Sequence, residues 1–193
     1  MRLKICGITC QEDAARAEAL GADYLGFVFA KASPRCISTA HAAEIISTLQ
    51  HVNTVGVFVE HTDEEISQIM HTCHLDFAQV YREITLTGIK VIRGISVSTA
   101  EPLTPKFLSP ADFLLYDTYD PHKKGGTGKS FAWQVLPKDL SRAFVAGGIN
   151  ETNVRTLIEH YHPYGIDLSS SVEAYPGKKD PKKLERFFKA CRR

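Results

Sequence analysis

Leu3-Lys4-Ile5-Cys6-Gly7-Ile8-Thr9 carries an apolar run that delivers a cysteine to the end of a strand, where Gly7 breaks it. No second glycine follows closely, so the dinucleotide fingerprint that a doubly wound open sheet normally shows after its first strand is missing. The run is also the first of eight. The others are Tyr24 to Phe29, Thr54 to Val59, Phe77 to Val80, Lys90 to Ile95, Phe113 to Tyr116, Ala143 to Ala146 and Ile166 to Ser169. Their Val, Ile and Phe content without strict alternation suits strands buried on both faces. Helical periodicity fills most of the gaps: Glu12 to Leu20, stopped by Gly21, then Ala40 to Leu49, Asp63 to Cys73, Asn153 to Tyr161 and Pro181 to Ala190. Thr62-Asp63-Glu64-Glu65 gives the third helix a capping-box start. Arg82 to Gly88 is too short for a full helix, and Glu101 to Pro110 carries three prolines, so those two crossovers are weak. The pattern predicts an α/β fold, a compact single-domain (β/α)8 barrel over residues 1–193.

Bulk properties narrow the function. With 23 Lys plus Arg against 22 Asp plus Glu, a formal charge of +1 offers no general attraction to nucleic acid or acidic membranes. No apolar run approaches the roughly 20 residues of a membrane span. Cysteines at 6, 10, 36, 73 and 191 have no short paired spacing, which favours reduced thiols in a cytoplasmic setting. His71-Thr72-Cys73-His74 fits no standard zinc spacing and lies at a helix end, so no metal site is read from it. The run Lys178-Lys179-Asp180-Pro181-Lys182-Lys183 at a helix start reads as a solvated face.

In such barrels catalytic side chains stand where strands end and the following loops begin. Cys6 ends the first strand and Asp117 leaves the sixth, a thiol and an acid on one rim. Gly125-Gly126-Thr127-Gly128-Lys129 follows, and it is not a nucleotide-hydrolysing loop, because the glycine required five residues before Gly128 is Lys123. Ala146-Gly147-Gly148 closes the seventh strand and Ser169-Ser170-Ser171 the eighth, the two places from which barrels commonly build a phosphate site. Together these segments point to proton transfer on a phosphorylated small molecule.

Across nearly the whole chain the ordered motifs resemble one family, the N-(5'-phosphoribosyl)anthranilate isomerases of tryptophan biosynthesis. The resemblance runs through Lys4-Ile5-Cys6-Gly7-Ile8, Gly21-Ala22-Asp23, Leu25-Gly26-Phe27-Val28-Phe29, Ser33-Pro34-Arg35, Val55-Gly56-Val57-Phe58-Val59, the glycine-rich loop, Ala146-Gly147-Gly148-Ile149-Asn150, and Val172-Glu173 with Pro176-Gly177-Lys178-Lys179-Asp180. It implies an Amadori rearrangement of an aminoaldose to an aminoketose without metal or organic cofactor. By the same resemblance Asp117 is the general acid, Cys6 the general base and Arg35 the partner of the anthranilate carboxylate, while the three rim segments mark Gly126, Gly147, Gly148, Ser170 and Ser171 as the expected phosphate binders. A monomer or homodimer is expected. Two positions depart from the family: Gln79-Val80-Tyr81-Arg82 stands where Gln-Leu-His-Gly is usual, and Ser171 replaces a glycine. A related isomerase of histidine biosynthesis would use two aspartates, whereas the first-strand position is Cys6; a phosphate-ligand sensor without turnover would not need both Cys6 and Asp117. An unperturbed thiol near 8.5 and carboxyl near 3.9 are each wrongly protonated for these roles at neutral pH, so Cys6 requires thiolate-favouring surroundings and Asp117 a raised value.

Overall fold

The computed structural model describes residues 1–97, 111–118 and 133–192. Eight parallel strands close into a barrel in chain order: β1 (Arg2–Cys6), β2 (Tyr24–Val28), β3 (Asn53–Phe58), β4 (Phe77–Val80), β5 (Lys90–Val97), β6 (Phe113–Thr118), β7 (Ala143–Val145) and β8 (Gly165–Leu168). Leu3 opposite Ile166 and Lys4 opposite Asp167 bring the last strand back to the first. Several strands stop a residue or two before the apolar runs do, because the rim residues leave the ladder. At Gly7, in the left-handed region at φ 77°, the chain turns so that the amides of Gly7 and Ile8 both donate to the Gly26 carbonyl.

Strand alternation divides the side chains into two cores. Ile5, Leu25, Phe27, Phe58, Val80 and Ile166 point outward and pack under the helices α1 (Gln11–Ala19), α2 (Thr39–Ile46), α3 (Asp63–Cys73), α4 (Val154–Tyr161) and α5 (Pro181–Arg192). Each helix contributes a stripe: Ala14 and Ala17 on α1, Ile66, Met70 and Cys73 on α3, Leu184, Phe187 and Phe188 on α5. Burying each large member of such a stripe stabilises the fold by about 1.5–3 kcal/mol. The α3 start is the expected reciprocal cap, Thr62 Oγ1 accepting from the Glu65 amide while the Glu65 carboxylate accepts from that of Thr62. Inside the barrel, Tyr24, Val55, Phe77, Ile92, Leu115 and Phe144 form a separate cluster. It fills the N-terminal part of the bore and leaves the C-terminal mouth to polar groups.

The weak crossover at 82–88 holds no helix; Arg82 and Thr85 tie it to Asp63. The crossover at 101–110 lies outside the described residues. One element had no counterpart in the sequence reading: β9 (Glu173–Tyr175) pairs antiparallel with β10 (Lys178–Lys179) after a short 3₁₀ turn at Ser170–Val172. Strands of three and two residues are too short to show a period.

Candidate active site

Cys6 and Asp117 face the same mouth. Cys6 is buried with Val28, Ala30 and Val57, and a β-carbon on Gly26 would stand only 2.8 Å from its Sγ, so the neighbouring strand must be bare at that point. Asp117 sits partly open at the end of β6, its Oδ1 accepting from the Thr118 amide at 2.8 Å. Beneath them the fully buried Lys4 reaches across the β1/β8 seam to Asp167 at 2.9 Å. Removal from water pushes Asp117 up to about 6, and the Asp167 carboxylate adds to this; the Thr118 amide and Lys4 only partly oppose it. The raised value required of an acid is therefore present.

Cys6 departs from the expectation. Burial pushes its thiol above the ordinary value; the Lys4 and Lys179 ammonium groups pull toward thiolate but do not outweigh it. For Lys4 itself, burial opposes the charge, yet Asp167 and Cys6 together more than offset this and hold the ammonium above its ordinary value. The mouth thus keeps one cation, Lys4, below two groups whose proton affinities are both raised by burial.

A second charged group surrounds Glu173. Arg35 runs over Gly7, where a β-carbon would meet its Cδ at 2.6 Å, and forks onto the carboxylate through Nε at 2.9 Å and Nη2 at 2.7 Å. Lys179 donates to Glu173 Oε1 at 2.8 Å and to the Cys6 carbonyl at 2.6 Å. Burial alone would raise Glu173, but Arg35 and Lys179 together hold it below its ordinary value. The solvated reading of the basic run is corrected here: Lys179 is buried, because β10 lays it against the base of the mouth, and its amide donates to the buried Asp13. Neighbouring Lys178 binds Asp13 and Glu12 at the start of α1. Arg35 is likewise paired and buried, and among the described residues its bonds to Glu173 use only Nε and Nη2.

The loops after β7 and β8 lie side by side on the same rim. Gly147 and Gly148 both have positive φ, at 87° and 63°, and a β-carbon on Gly147 would strike the Thr118 side chain. Ser170 and Ser171 occupy the 3₁₀ turn, and Ser171 is not among the residues with positive φ, so serine in place of glycine causes no backbone strain. The Ser169 hydroxyl is buried with no hydrogen-bond partner among the described residues. Gly126 and the rest of its loop lie outside the described residues.

Sequence marked Tyr81 only as a departure from the family and did not single out Lys4, Asp167 or Lys179 as groups of the mouth. Tyr81 follows β4, and its hydroxyl accepts from Gln79 Nε2 at 2.9 Å within the mouth. The signal was available, since Phe77, Gln79 and Tyr81 alternate onto the interior face.

A family model described as N-(5'phosphoribosyl)anthranilate (PRA) isomerase matches residues 3–190. The chain belongs to that family. The N-(5'-phosphoribosyl)anthranilate isomerase of Pelobacter propionicus is 38% identical over 200 residues, spanning 100% of this chain and 96% of that protein. The crystal structure of phosphoribosylanthranilate isomerase from Thermus thermophilus superposes with a TM-score of 0.86 at 34% identity, covering 100% of this chain and 98% of that one. A phosphoribosylanthranilate isomerase in complex with reduced 1-(o-carboxyphenylamino)-1-deoxyribulose 5-phosphate, 31% identical, gives a TM-score of 0.77 over 100% and 98% of the two chains. Isomerase family membership and a (β/α)8 barrel therefore agree from sequence and from shape.

Proposed function

We propose that this chain converts N-(5'-phosphoribosyl)anthranilate to 1-(2-carboxyphenylamino)-1-deoxyribulose 5-phosphate, the Amadori step of tryptophan biosynthesis, with Asp117 as acid and Cys6 as base. The observation that carries the assignment is an acid raised to about 6 sharing one mouth with a buried thiol above Lys4. Asp117 gives its proton to the furanose ring oxygen as the C1'–O bond breaks and the nitrogen lone pair closes a Schiff base. Cys6 thiolate takes the C2' proton, and that electron pair forms the enolamine, which tautomerises to the ketone. The chemistry consumes no oxidant and needs only these two proton-transfer groups, so it proceeds without metal or organic cofactor. Phosphate is held by amides near Gly147, Gly148, Ser170 and Ser171, with Gly126 from the neighbouring loop. Arg35 keeps its Nε–Nη2 edge on Glu173 and offers the Nη1 side to the anthranilate carboxylate. The substrate is a phosphorylated small molecule, and the five unpaired cysteines suit a cytoplasmic enzyme, monomer or homodimer; no helix among the described residues is long and apolar enough to cross a membrane.

The two shifts set a proton count. At neutral pH the resting pair is Cys6 thiol with Asp117 carboxylate, and the reactive pair is thiolate with carboxylic acid. Both carry one proton. The reactive fraction is therefore small but independent of pH between the two values, falling below about 6 as Asp117 and Cys6 are both protonated and falling again above the raised thiol value as both ionise. Chelator-treated protein should turn over phosphoribosylanthranilate with kcat/KM flat across the neutral range and an acid limb near 6. Absence of turnover, or activity lost to EDTA and restored by a divalent cation, would overturn the reading.

A further inference from the structure

The loops after β1 and β2 meet the β9–β10 hairpin around a surface cavity of about 470 Å3, and both Cys10 and Cys36 stand in its wall. That volume lies within the range of about 300–1,000 Å3 in which small molecules are usually held. The two sulphurs are used in opposite ways. Cys10 Sγ accepts from the Lys178 ammonium at 3.4 Å, whereas Cys36 Sγ donates to the Phe29 carbonyl at 3.5 Å. Removing the Cys10 proton strengthens its contact; removing the Cys36 proton destroys the one that residue makes. Lys178 keeps its charge, because Asp13 at 2.7 Å and Glu12 at 2.9 Å hold the ammonium well above its ordinary value. Cys10 is also the N-cap residue of α1, where the helix favours negative charge, and its side chain makes no capping bond that would occupy the sulphur. The remaining thiols are placed otherwise. Cys6 and Cys73 are buried, Cys73 donating to the Thr39 carbonyl at 3.4 Å, and burial pushes Cys191 up to about 11.

From this geometry we infer that Cys10 is a covalent modification site, at which a small uncharged disulfide exchanges with the thiol and leaves a mixed disulfide in the cavity. The Cys10 proton passes to solvent and the sulphur attacks one sulphur of the disulfide. A new bond forms to Cys10 as the old sulphur–sulphur bond breaks, and the second sulphur leaves with the electron pair and takes up a proton from water. The incoming disulfide is the only oxidant the step consumes. The cavity also sets the class of partner. The charge of Lys178 is already matched by Glu12 and Asp13, so it offers no surplus cation to an anionic group, while Pro34, Pro176 and the largely exposed Tyr175 give an apolar side. Neither Cys6 nor Asp117 takes part, so the site is separate from the proton-transfer pair and stands whether or not the chain is an isomerase.

Dithiodipyridine, an uncharged aromatic disulfide, tests this when added to the reduced full chain at one equivalent, with release of the thiopyridone followed by absorbance and the labelled cysteine found by peptide mapping. The first equivalent should go to Cys10, ahead of the more exposed Cys36, and Cys10→Ser should remove the fastest phase. Lys178→Met should slow that phase about three- to fivefold: losing the ammonium lowers the thiolate fraction about tenfold, and the stronger nucleophile that results returns about a factor of three. Lys178→Arg keeps the cation and should restore the rate. A fold loosened by the Lys178→Met change would expose the buried thiols and speed labelling, so slowing at Cys10 is not explained by lost structure. First labelling at Cys36, Cys191 or Cys6 would overturn the inference, as would a Cys10 rate that is unchanged or faster in Lys178→Met.

Discussion

Two carboxylates on one barrel rim, Glu173 buried and Asp117 partly open, are built on opposite plans. Glu173 is saturated: it holds Arg35 through two bonds, Lys179 through a third and the Gly177 amide through a fourth, while its own carbonyl accepts from Lys183. Among the described residues Asp117 has one backbone amide as hydrogen-bond partner and a like-charged neighbour in Asp167 that the Lys4 ammonium only partly offsets. The consequence is visible in their protonation, Glu173 below its ordinary value and Asp117 above it. Full pairing freezes a carboxylate in its charged form and suits an anchor. Partial desolvation without a counter-ion leaves a carboxyl able to gain and lose a proton, as an acid must.

The largest effects should therefore fall on turnover and spare the fold at the unpaired end. Cys6→Ala and Asp117→Asn each remove a proton-transfer group with little change in volume, and a loss of about 10²- to 10⁴-fold in kcat is expected, with analogue affinity nearly retained. The double variant should be far less than multiplicatively worse, because the two groups serve one obligatory sequence. With substrate deuterated at C2', loss of the label should require Cys6. Near-normal label loss in Cys6→Ala would make the thiol a packing residue and erase the contrast.

Glu173→Gln addresses the saturated end. It leaves Arg35 and Lys179 buried beside a neutral amide, and removing one partner of a buried ion pair costs about 3–5 kcal/mol. For a chain of this size that corresponds to a melting temperature lower by on the order of 10 °C. Measured well below the new midpoint, kcat should stay within tenfold of the starting protein. A collapse of kcat comparable to that of Cys6→Ala, with an unchanged melting temperature, would show that Glu173 belongs to the chemistry and that the two ends are not distinct in kind.

The same contrast explains what the sequence could disclose. The barrel was legible because its evidence is local: eight apolar runs, helical stripes between them, and the Thr62 cap with its partner three residues on. The rim positions of Cys6 and Asp117 were legible because both residues stand at the ends of apolar runs. Glu173, Lys179 and Arg35 meet across 138 residues of chain and through a hairpin too short for any period, so nothing local marked Lys179 as buried among its solvated neighbours. Which way the Cys6 thiol shifts was illegible for a related reason: it is decided by burial against two lysines, one next but one in sequence and one 173 residues away. Tyr81 lay between these cases: alternation puts it on the interior face, but its ring can lie there only because Gly94 is bare one strand over.

The smallest predicted effect is one of stability, and it has the opposite sign from the loss at Glu173. Asp117 has a folded value of about 6, above the ordinary carboxyl value near 3.9 that it takes when unfolded, so the folded state binds the proton more tightly. Its contribution is fully present below the unfolded value and is lost as pH rises through about 6; at pH 8 the charged carboxylate weighs against the folded state. A shift of this size is worth at most about 3 kcal/mol, and about 1–2 kcal/mol once the partial exposure of Asp117 is allowed for. Asparagine keeps the shape and an oxygen for the Thr118 amide but never ionises. Asp117→Asn should thus be more stable than the starting protein at pH 8 by about 1–2 kcal/mol in denaturant titrations, and the gain should fade between pH 6 and pH 4 as the native carboxyl becomes neutral on its own. A gain that does not change with pH would come from packing instead of charge. No gain at pH 8 would mean that desolvation carries no penalty for the Asp117 carboxylate, and the difference between the two ends of the rim would lose its physical basis.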